Sequence, residues 1–399
     1  MNTLFFVINQ DPFDGSAHGL YCLRTCQGLA ETAPDKAVYL VYPGPLVAAT
    51  LRGLRHDQGI VDGLKRVGLS SPPNLRLHPL SALRRARGKR GVTVNAVYYW
   101  ACHRFLRRRM RPGDILASAS FAGLMRFLFR RSHGLELERS VRRIYEVHQL
   151  AHQERGPESK GARVEQAVFE EADVLLTTTE VLRGQLQKLA PGKPVVNLGL
   201  ACGFDPHDVP PPEPGASRPF TLAYIGSLYP EQGVQWLAGV WREVVDRVHA
   251  PLRLKIAGGN PREVEALRGL TAGSEETVQV HGPVAPGELP RFLRDVDALI
   301  IPALNRGRMP YVAITKAYDY LGLNRPILAA NLPSIAEVLR PEREALLFAP
   351  EDTAEMADAL ARIMRDADLV RTMTAHCRAR RGEFTWENRS TAWWRAVQS

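Results

Sequence analysis

The sequence predicts an α/β protein built from two doubly wound parallel-sheet domains. Short apolar runs alternate with amphipathic stretches along its length, one Pro-rich segment divides those runs into two series, and 399 residues is too long for one ordinary domain. Strands separated by helical patterns imply βαβ units, and parallel strands covered on both faces read as continuous apolar runs.

The elements follow in order. Met1–Gln10 has no positive n-region and no small-residue cleavage site, so Leu4–Ile8 is a first buried strand and not part of a signal peptide. The loop Asp11–Gly19 leads into an amphipathic helix on which Cys22 and Cys26 lie one turn apart, a spacing that packs small side chains into a core. Ala37–Val41, Ile115–Ala117, Arg143–Val147, Val174–Thr178 and Val195–Leu198 complete the first strand series. Gly203–Ser217 holds five prolines and two glycines in fifteen residues, which no regular element accommodates, so it is the interdomain linker. The second series is Leu222–Ile225, Leu252–Ala257, Thr277–Val280, Ala298–Ile301, Ile327–Ala330 and Ala345–Phe348. The expected organisation is a domain at 1–203, a linker at 204–218, a domain at 219–380 and a final helix at 381–399. Strand C-termini and Gly-rich loops of both domains are expected to face one cleft, where such folds bind nucleotides.

Composition narrows the function classes. A 45% hydrophobic share with 24% charged residues describes a folded, soluble chain, and no apolar run reaches the roughly 18 residues of a membrane span. The five cysteines, Cys22, Cys26, Cys102, Cys202 and Cys377, form no CxxC pair and no cluster with histidine, so neither a metal nor a disulfide framework is expected and a reducing, cytoplasmic location fits. The net charge of +10 is concentrated: residues 84–143 carry 16 Lys/Arg against Asp114, Glu136 and Glu138. Tyr98-Tyr-Trp100, Arg107-Arg-Arg-Met-Arg111 and Phe127-Leu-Phe-Arg-Arg131 interleave rings with that charge, as a face peripheral to the inner side of an anionic membrane requires; a solvated basic face is the alternative. No helix-turn-helix, RNA-recognition or zinc-finger pattern accompanies it, so nucleic acid is not the expected partner.

The chemistry-bearing residues sit where the strands end. Tyr224-Ile-Gly-Ser-Leu-Tyr-Pro-Glu-Gln-Gly233 follows a strand and precedes a helix; Gly226 permits close backbone approach to a ligand. Leu254-Lys-Ile-Ala-Gly-Gly-Asn-Pro261 places Gly258 and Gly259 after the next strand, and Val280-His-Gly-Pro-Val284 follows. Pro310–Ala330 reads as a loop, a helix carrying Thr315, Lys316 and Asp319, and a buried strand. In the first half, His148 ends the strand of Arg142-Arg-Ile-Tyr-Glu-Val-His148, where an imidazole can donate a hydrogen bond or exchange a proton near neutral pH.

These segments resemble the family 4 glycosyltransferases (glycosyl transferases group 1). Lys316-Ala-Tyr-Asp319-Tyr320 with Asn324-Arg-Pro-Ile-Leu-Ala329 resembles the family's Lys-Leu-Phe-Glu-Tyr and Gly-Lys-Pro-Val-Ile-Ala, and the Gly226 stretch resembles Tyr-x-Gly-Arg-Leu-x-Pro-x-Lys-Gly. Tyr145-Glu-Val-His148 resembles Tyr-Glu-x-His, and Phe384-Thr-Trp-Glu387 resembles the closing Phe-Ser-Trp-Glu helix. The resemblance implies a GT-B fold whose last helix crosses back to the first domain. It also implies a retaining, metal-independent hexosyltransferase that needs no cofactor and uses a nucleotide diphosphate sugar. It assigns Gly226, Ser227, Gln232, Gly258, Gly259, Val284, Thr315 and Lys316 to the donor, Asp319 and His148 to catalysis, and Gly15, Ser16 and His18 to the acceptor side. Ser227 and Gln232 stand where the family has Arg and Lys, Tyr311 falls near the first of two glutamates, and Asp319 is shorter than the second. Lys316, Arg306, Arg308 and Arg325 are the cations that could compensate, and a capping role is the alternative for Asp319.

The implied acceptor is a glycan, lipid-linked or anionic, as in bacterial envelope polysaccharide biosynthesis. Three alternatives stay open: a catalytically weak or inactive GT-B protein acting as partner subunit or sugar-nucleotide binder, a sugar-nucleotide 2-epimerase, and a docking module built on the basic block.

Overall fold

In a computed structural model of the chain, the residues described are 2–13, 16–45, 64, 69–82, 93–119, 122–129, 141–204, 209–211 and 218–398. Gly15, much of the 204–218 segment and the two ends of the basic block, before residue 93 and at 130–140, lie outside them. The chain forms two compact units, Met1–Thr178 with Leu182–Leu198 and Trp386–Ser399, and Thr179–Val181 with Gly199–Thr385.

The first unit is built on seven strands: β1 (Leu4–Val7), β2 (Val38–Pro45), β3 (Leu75–Ala82), β4 (Ile115–Ser118), β5 (Arg142–Val147), β6 (Val174–Thr177) and β7 (Val195–Asn197). Their order is β3-β2-β1-β4-β5-β6-β7 and every pair is parallel. Chain order reverses between β1 and β4, so the loops after these strands diverge and leave a crevice at their C-terminal ends. β3 is the one strand that apolar runs do not reveal. Arg76, His78 and Pro79 interrupt Leu75 and Leu77, and an edge position lets Pro79 forgo a ladder hydrogen bond.

Helix α1 (Ala17–Thr32) starts at Ser16, whose hydroxyl caps it by accepting from the Gly19 N–H at 3.1 Å. The C-terminal helix Trp386–Gln398 packs on α1 so closely that a β-carbon on Gly28 would sit 2.4 Å from Ser390 Oγ. Trp393 and Trp394 enter the same core as Leu4, Phe6, Cys22 and Cys26, and Trp394 Nε1 donates to the Leu29 carbonyl at 3.1 Å. Removing such a buried indole costs about 3–5 kcal/mol. Helix α2 (Thr93–Arg109) buries Tyr98 and Leu106 and ends in Arg107, Arg108 and Arg109.

The second unit has six strands: β8 (Phe220–Ile225), β9 (Leu252–Ala257), β10 (Val278–His281), β11 (Ala298–Ile301), β12 (Ile327–Ala330) and β13 (Ala345–Phe348). Their order is β10-β9-β8-β11-β12-β13, all parallel, with the reversal between β8 and β11. Asp297 fixes the start of β11 against β8 by accepting from Thr221 N at 2.8 Å and from both Arg218 Nη atoms. Among the described residues no helix is long and apolar enough to cross a membrane.

Candidate active site

The loops of the second unit's switch point bring most of the predicted donor residues together. Gly226 follows β8 and Gly258 follows β9; a β-carbon on Gly258 would lie 1.9 Å from the Gly226 carbonyl oxygen, and both have positive φ. Only glycine allows these two turns to touch. The Gly258 N–H donates to the Gly282 carbonyl at 3.1 Å, which ties in the loop after β10 that carries half-buried Val284. Gly259, beside Gly258, leaves no room for a side chain next to Leu228.

Lys316 reaches this point from the short helix Thr315–Asp319. Its Nζ lies 5.0 Å from the centre of the Tyr224 ring, donates to Gln232 Oε1 at 2.5 Å, and would be 3.0 Å from a β-carbon on Gly226. Burial pushes its pKa down to about 8, against a smaller upward pull from Asp319. Half-buried Ser227 lends its carbonyl to the Tyr224 hydroxyl, and Thr315 is exposed at the helix start.

Asp319 closes that helix, half-buried, and its Oδ1 accepts from the Gly203 N–H at 2.8 Å. The carboxylate therefore anchors the segment entering the unit as well as carrying charge. Arg325 corrects the expectation that it could serve a phosphate. It is fully buried, and its guanidinium donates to the carbonyls of Val296 at 2.6 Å, Leu293 at 2.6 Å and Pro210 at 2.8 Å. Exposed Arg306 pairs with Glu351 at 2.5 Å.

In the first unit, His148 lies one residue past β5 and meets α1. Its ring stands edge-on to Tyr21 (centroids 4.8 Å apart) and to His18 (5.7 Å). Its Nε2 is 3.2 Å from Oε1 of Glu146, a carboxylate that is almost fully buried. The same oxygen accepts from Arg389 Nη2 at 2.6 Å and from the Tyr21 hydroxyl. Burial alone would raise the Glu146 pKa, but Arg389, helped by His148 and Tyr21, holds it down to about 2. Ser16, predicted on the acceptor side, spends its oxygen on the α1 cap and on Gln10 Nε2, which donates at 3.0 Å. His152 and the other described residues form no group of three or more possible metal ligands.

Residues 219–366, nearly all of the second unit's sheet and its site loops, match the sequence model of the family described as Glycosyl transferases group 1. The chain carries a group 1 glycosyltransferase domain. The chain is similar to D-inositol 3-phosphate glycosyltransferase of Actinosynnema mirum, with 25% identity over 301 residues that span 70% of this chain and 71% of the relative. Its fold is the GT-B fold of solved structures. Sucrose-phosphate synthase from Thermosynechococcus elongatus superimposes with a TM-score of 0.71 at 16% identity, covering 100% of this chain and 98% of the other. Anabaena HepE in complex with UDP-glucose gives a TM-score of 0.67 at 12% identity, covering both chains fully.

Two partners of His148 and Glu146 were not legible beforehand. Arg389 lies 243 residues from Glu146 and carries no local pattern that would pair them. Tyr21 had a signal: three residues beyond His18, it shares that residue's helix face. The basic block also resolves into parts. Tyr98 is core, its hydroxyl donating to the Ile8 carbonyl, while Val97 and Trp100 are 40% and 56% exposed on α2 beside exposed Arg104, Arg107 and Arg108. Arg109 lies over the Phe105 ring and Arg111 caps the Met110 carbonyl at 3.0 Å, so part of this charge serves the helix end.

Proposed function

We propose that this protein transfers a sugar from a nucleotide diphosphate sugar to a glycan or lipid-linked acceptor, with retention at the anomeric carbon and without a metal ion. The observation that carries the reading is the meeting of Gly226, Gly258, Gln232 and Lys316 at the β8/β11 switch point. Glycines let the backbone approach a diphosphate, and the Lys316 ammonium offers it the nearest cation. Val284 packs beside the base, Thr315 and Lys316 hold the phosphates, Asp319 binds sugar hydroxyls, His148 sits at the reacting face, and His18 serves the acceptor side. The UDP-glucose complex of the HepE neighbour makes uridine diphosphate sugars the first donors to test.

The acceptor reading is an anionic or lipid-linked glycan of envelope polysaccharide assembly, met at an anionic membrane surface. Trp100 and the arginines of α2 support it, as does a relative named for a phosphorylated inositol. A second reading, a weak or inactive sugar-nucleotide binder, is favoured by one observation: Gln232, a neutral side chain, occupies the position of a family cation and holds Lys316.

A thermal-shift panel of UDP, GDP, ADP, CMP and dTDP and their sugars tests both. A ligand at about 100-fold its dissociation constant adds roughly 2.7 kcal/mol of stability. One nucleotide standing out supports a working donor site; no shift from any of them removes it. Transfer assayed with and without EDTA then decides the metal question.

A further inference from the structure

We infer that Tyr320 is a positioning residue of the donor site. Its hydroxyl ties the Gly226 turn to the helix that carries Lys316, so that a diphosphate meets the turn's backbone and the ammonium in one fixed alignment. This rests on the donor-site reading made above. β8 pairs with β11 through Leu222 and Ala223, opposite Ala298 and Leu299, and the pairing ends there. Ile225 lies two residues past Ala223, so its N–H and C=O turn to the same side, toward β11. Gly226, one residue on, turns the other way and donates to the Ala257 carbonyl of β9 at 2.9 Å.

The Tyr320 hydroxyl takes the place of the missing strand partner. It accepts from the Ile225 N–H at 2.9 Å and donates to the Ile225 carbonyl at 3.3 Å. One side chain thus satisfies both backbone groups of a strand end that β11 no longer pairs. Tyr320 is 1% exposed, and burial pushes its pKa up, so the proton for the second bond stays in place. Its own N–H donates to the Lys316 carbonyl, one helical turn earlier, and residues four apart share a helix face. From that face Lys316 Nζ comes within 3.0 Å of where a β-carbon on Gly226 would sit, while Tyr320 holds the residue before it. On the far side of Gly226, the Tyr224 hydroxyl donates to the Ser227 carbonyl. Gly226 is therefore bracketed by two phenols, and only that of Tyr320 comes from the Lys316 helix.

The test uses the full-length protein and UDP, or whichever of GDP, ADP and dTDP the native protein binds. In the native protein the Ile225 amide is expected to exchange slowly although it lies beyond the last β8/β11 pair, and at least about tenfold faster in Tyr320→Phe. By calorimetry, Tyr320→Phe should lower nucleotide affinity about tenfold in the native background and by about threefold at most in Lys316→Met. That coupling is the readout which general loosening would not give. Thr271→Val removes another buried hydroxyl of the same unit, a 3.0 Å donor to the Leu267 carbonyl, and should lower the melting temperature with affinity unchanged. A fast native Ile225 amide, equal losses of affinity in the two backgrounds, or an equal loss in Thr271→Val overturns the inference. If the native protein binds no nucleotide diphosphate, the donor-site reading fails instead, and exchange at Ile225 still decides the tie.

Discussion

Lys316 donates to Gln232 across 2.5 Å, so the cation nearest the glycine turns is held by a neutral amide and not by a carboxylate. A diphosphate can displace an amide without stranding a buried negative charge. The arrangement leaves Lys316 without a carboxylate to compete with a ligand, where neutral Ser227 and Gln232 stand at the two positions that are cations in the family it resembles.

Lys316→Met is expected to weaken nucleotide diphosphate binding about tenfold or more, the worth of a charge-assisted hydrogen bond, as read by titration calorimetry. The pH dependence follows from its lowered pKa of about 8. The ammonium is present below that value and is lost above it, so native affinity should fall as pH rises from 7 to 9, and the variant should show no such fall from this group. For stability the sign is opposite. The folded value lies below the ordinary 10.5, so the burial cost of the charge is full below pH 8 and is relieved between about 8 and 10.5.

Asp319→Asn separates charge from anchoring. The amide oxygen still accepts from the Gly203 N–H, so melting should shift by less than a degree or two while transfer falls at least 100-fold. Asp319→Ala should lose both, with a further cost of about 1–3 kcal/mol for the unpaired N–H. Native turnover in the asparagine variant would return Asp319 to a purely structural role.

Gly258→Ala pushes a methyl against the Gly226 carbonyl, 1.9 Å away before relaxation. Separating the two turns should cost about 1–3 kcal/mol and widen the gap proposed for the diphosphate. Melting temperature and nucleotide affinity should fall together.

Arg389→Met leaves Glu146 buried without its cation and should destabilise the first unit by about 3–5 kcal/mol. Adding Glu146→Leu should recover most of that stability and none of the activity. The native pair also sets acid behaviour. Because the Glu146 value is held near 2, its contribution is present above about 4.5 and disappears as pH falls from there through 2.

Trp100→Ser combined with Arg107→Gln and Arg108→Gln removes the exposed ring and two exposed charges of α2 without touching buried Tyr98. Co-sedimentation with vesicles of anionic lipid should drop, and high salt should mimic the arginine changes. Unchanged binding would make this a solvated helix face.

Most strands and the glycines that follow β8 and β9 were legible because both write themselves locally, as unbroken apolar runs and as small residues at strand ends. β3 was not, since an edge strand buries one face and alternates, and Pro79 reads as a breaker. Arg325 misled for a related reason. Beside a Pro at a turn it looks like a surface cation, but the carbonyls of Val296, Leu293 and Pro210 give its donors partners inside the unit. Glu146 was visible as part of a motif; that it needs Arg389 was not, because an ion pair spanning 243 residues leaves no periodic trace.

That span has a consequence for how the chain is made. Domains generally fold as they emerge, N-terminal first. Here the first sheet's strands are all synthesised by Asn197, yet the counter-charge for Glu146 and the two tryptophans of its core arrive only with residues 389–394. Until then the nascent first unit carries a buried carboxylate without its guanidinium and an uncovered apolar groove along α1. The second unit must be translated before the first can be finished, so a ribosome stalled between them would display a protein ready for chaperones and not for catalysis.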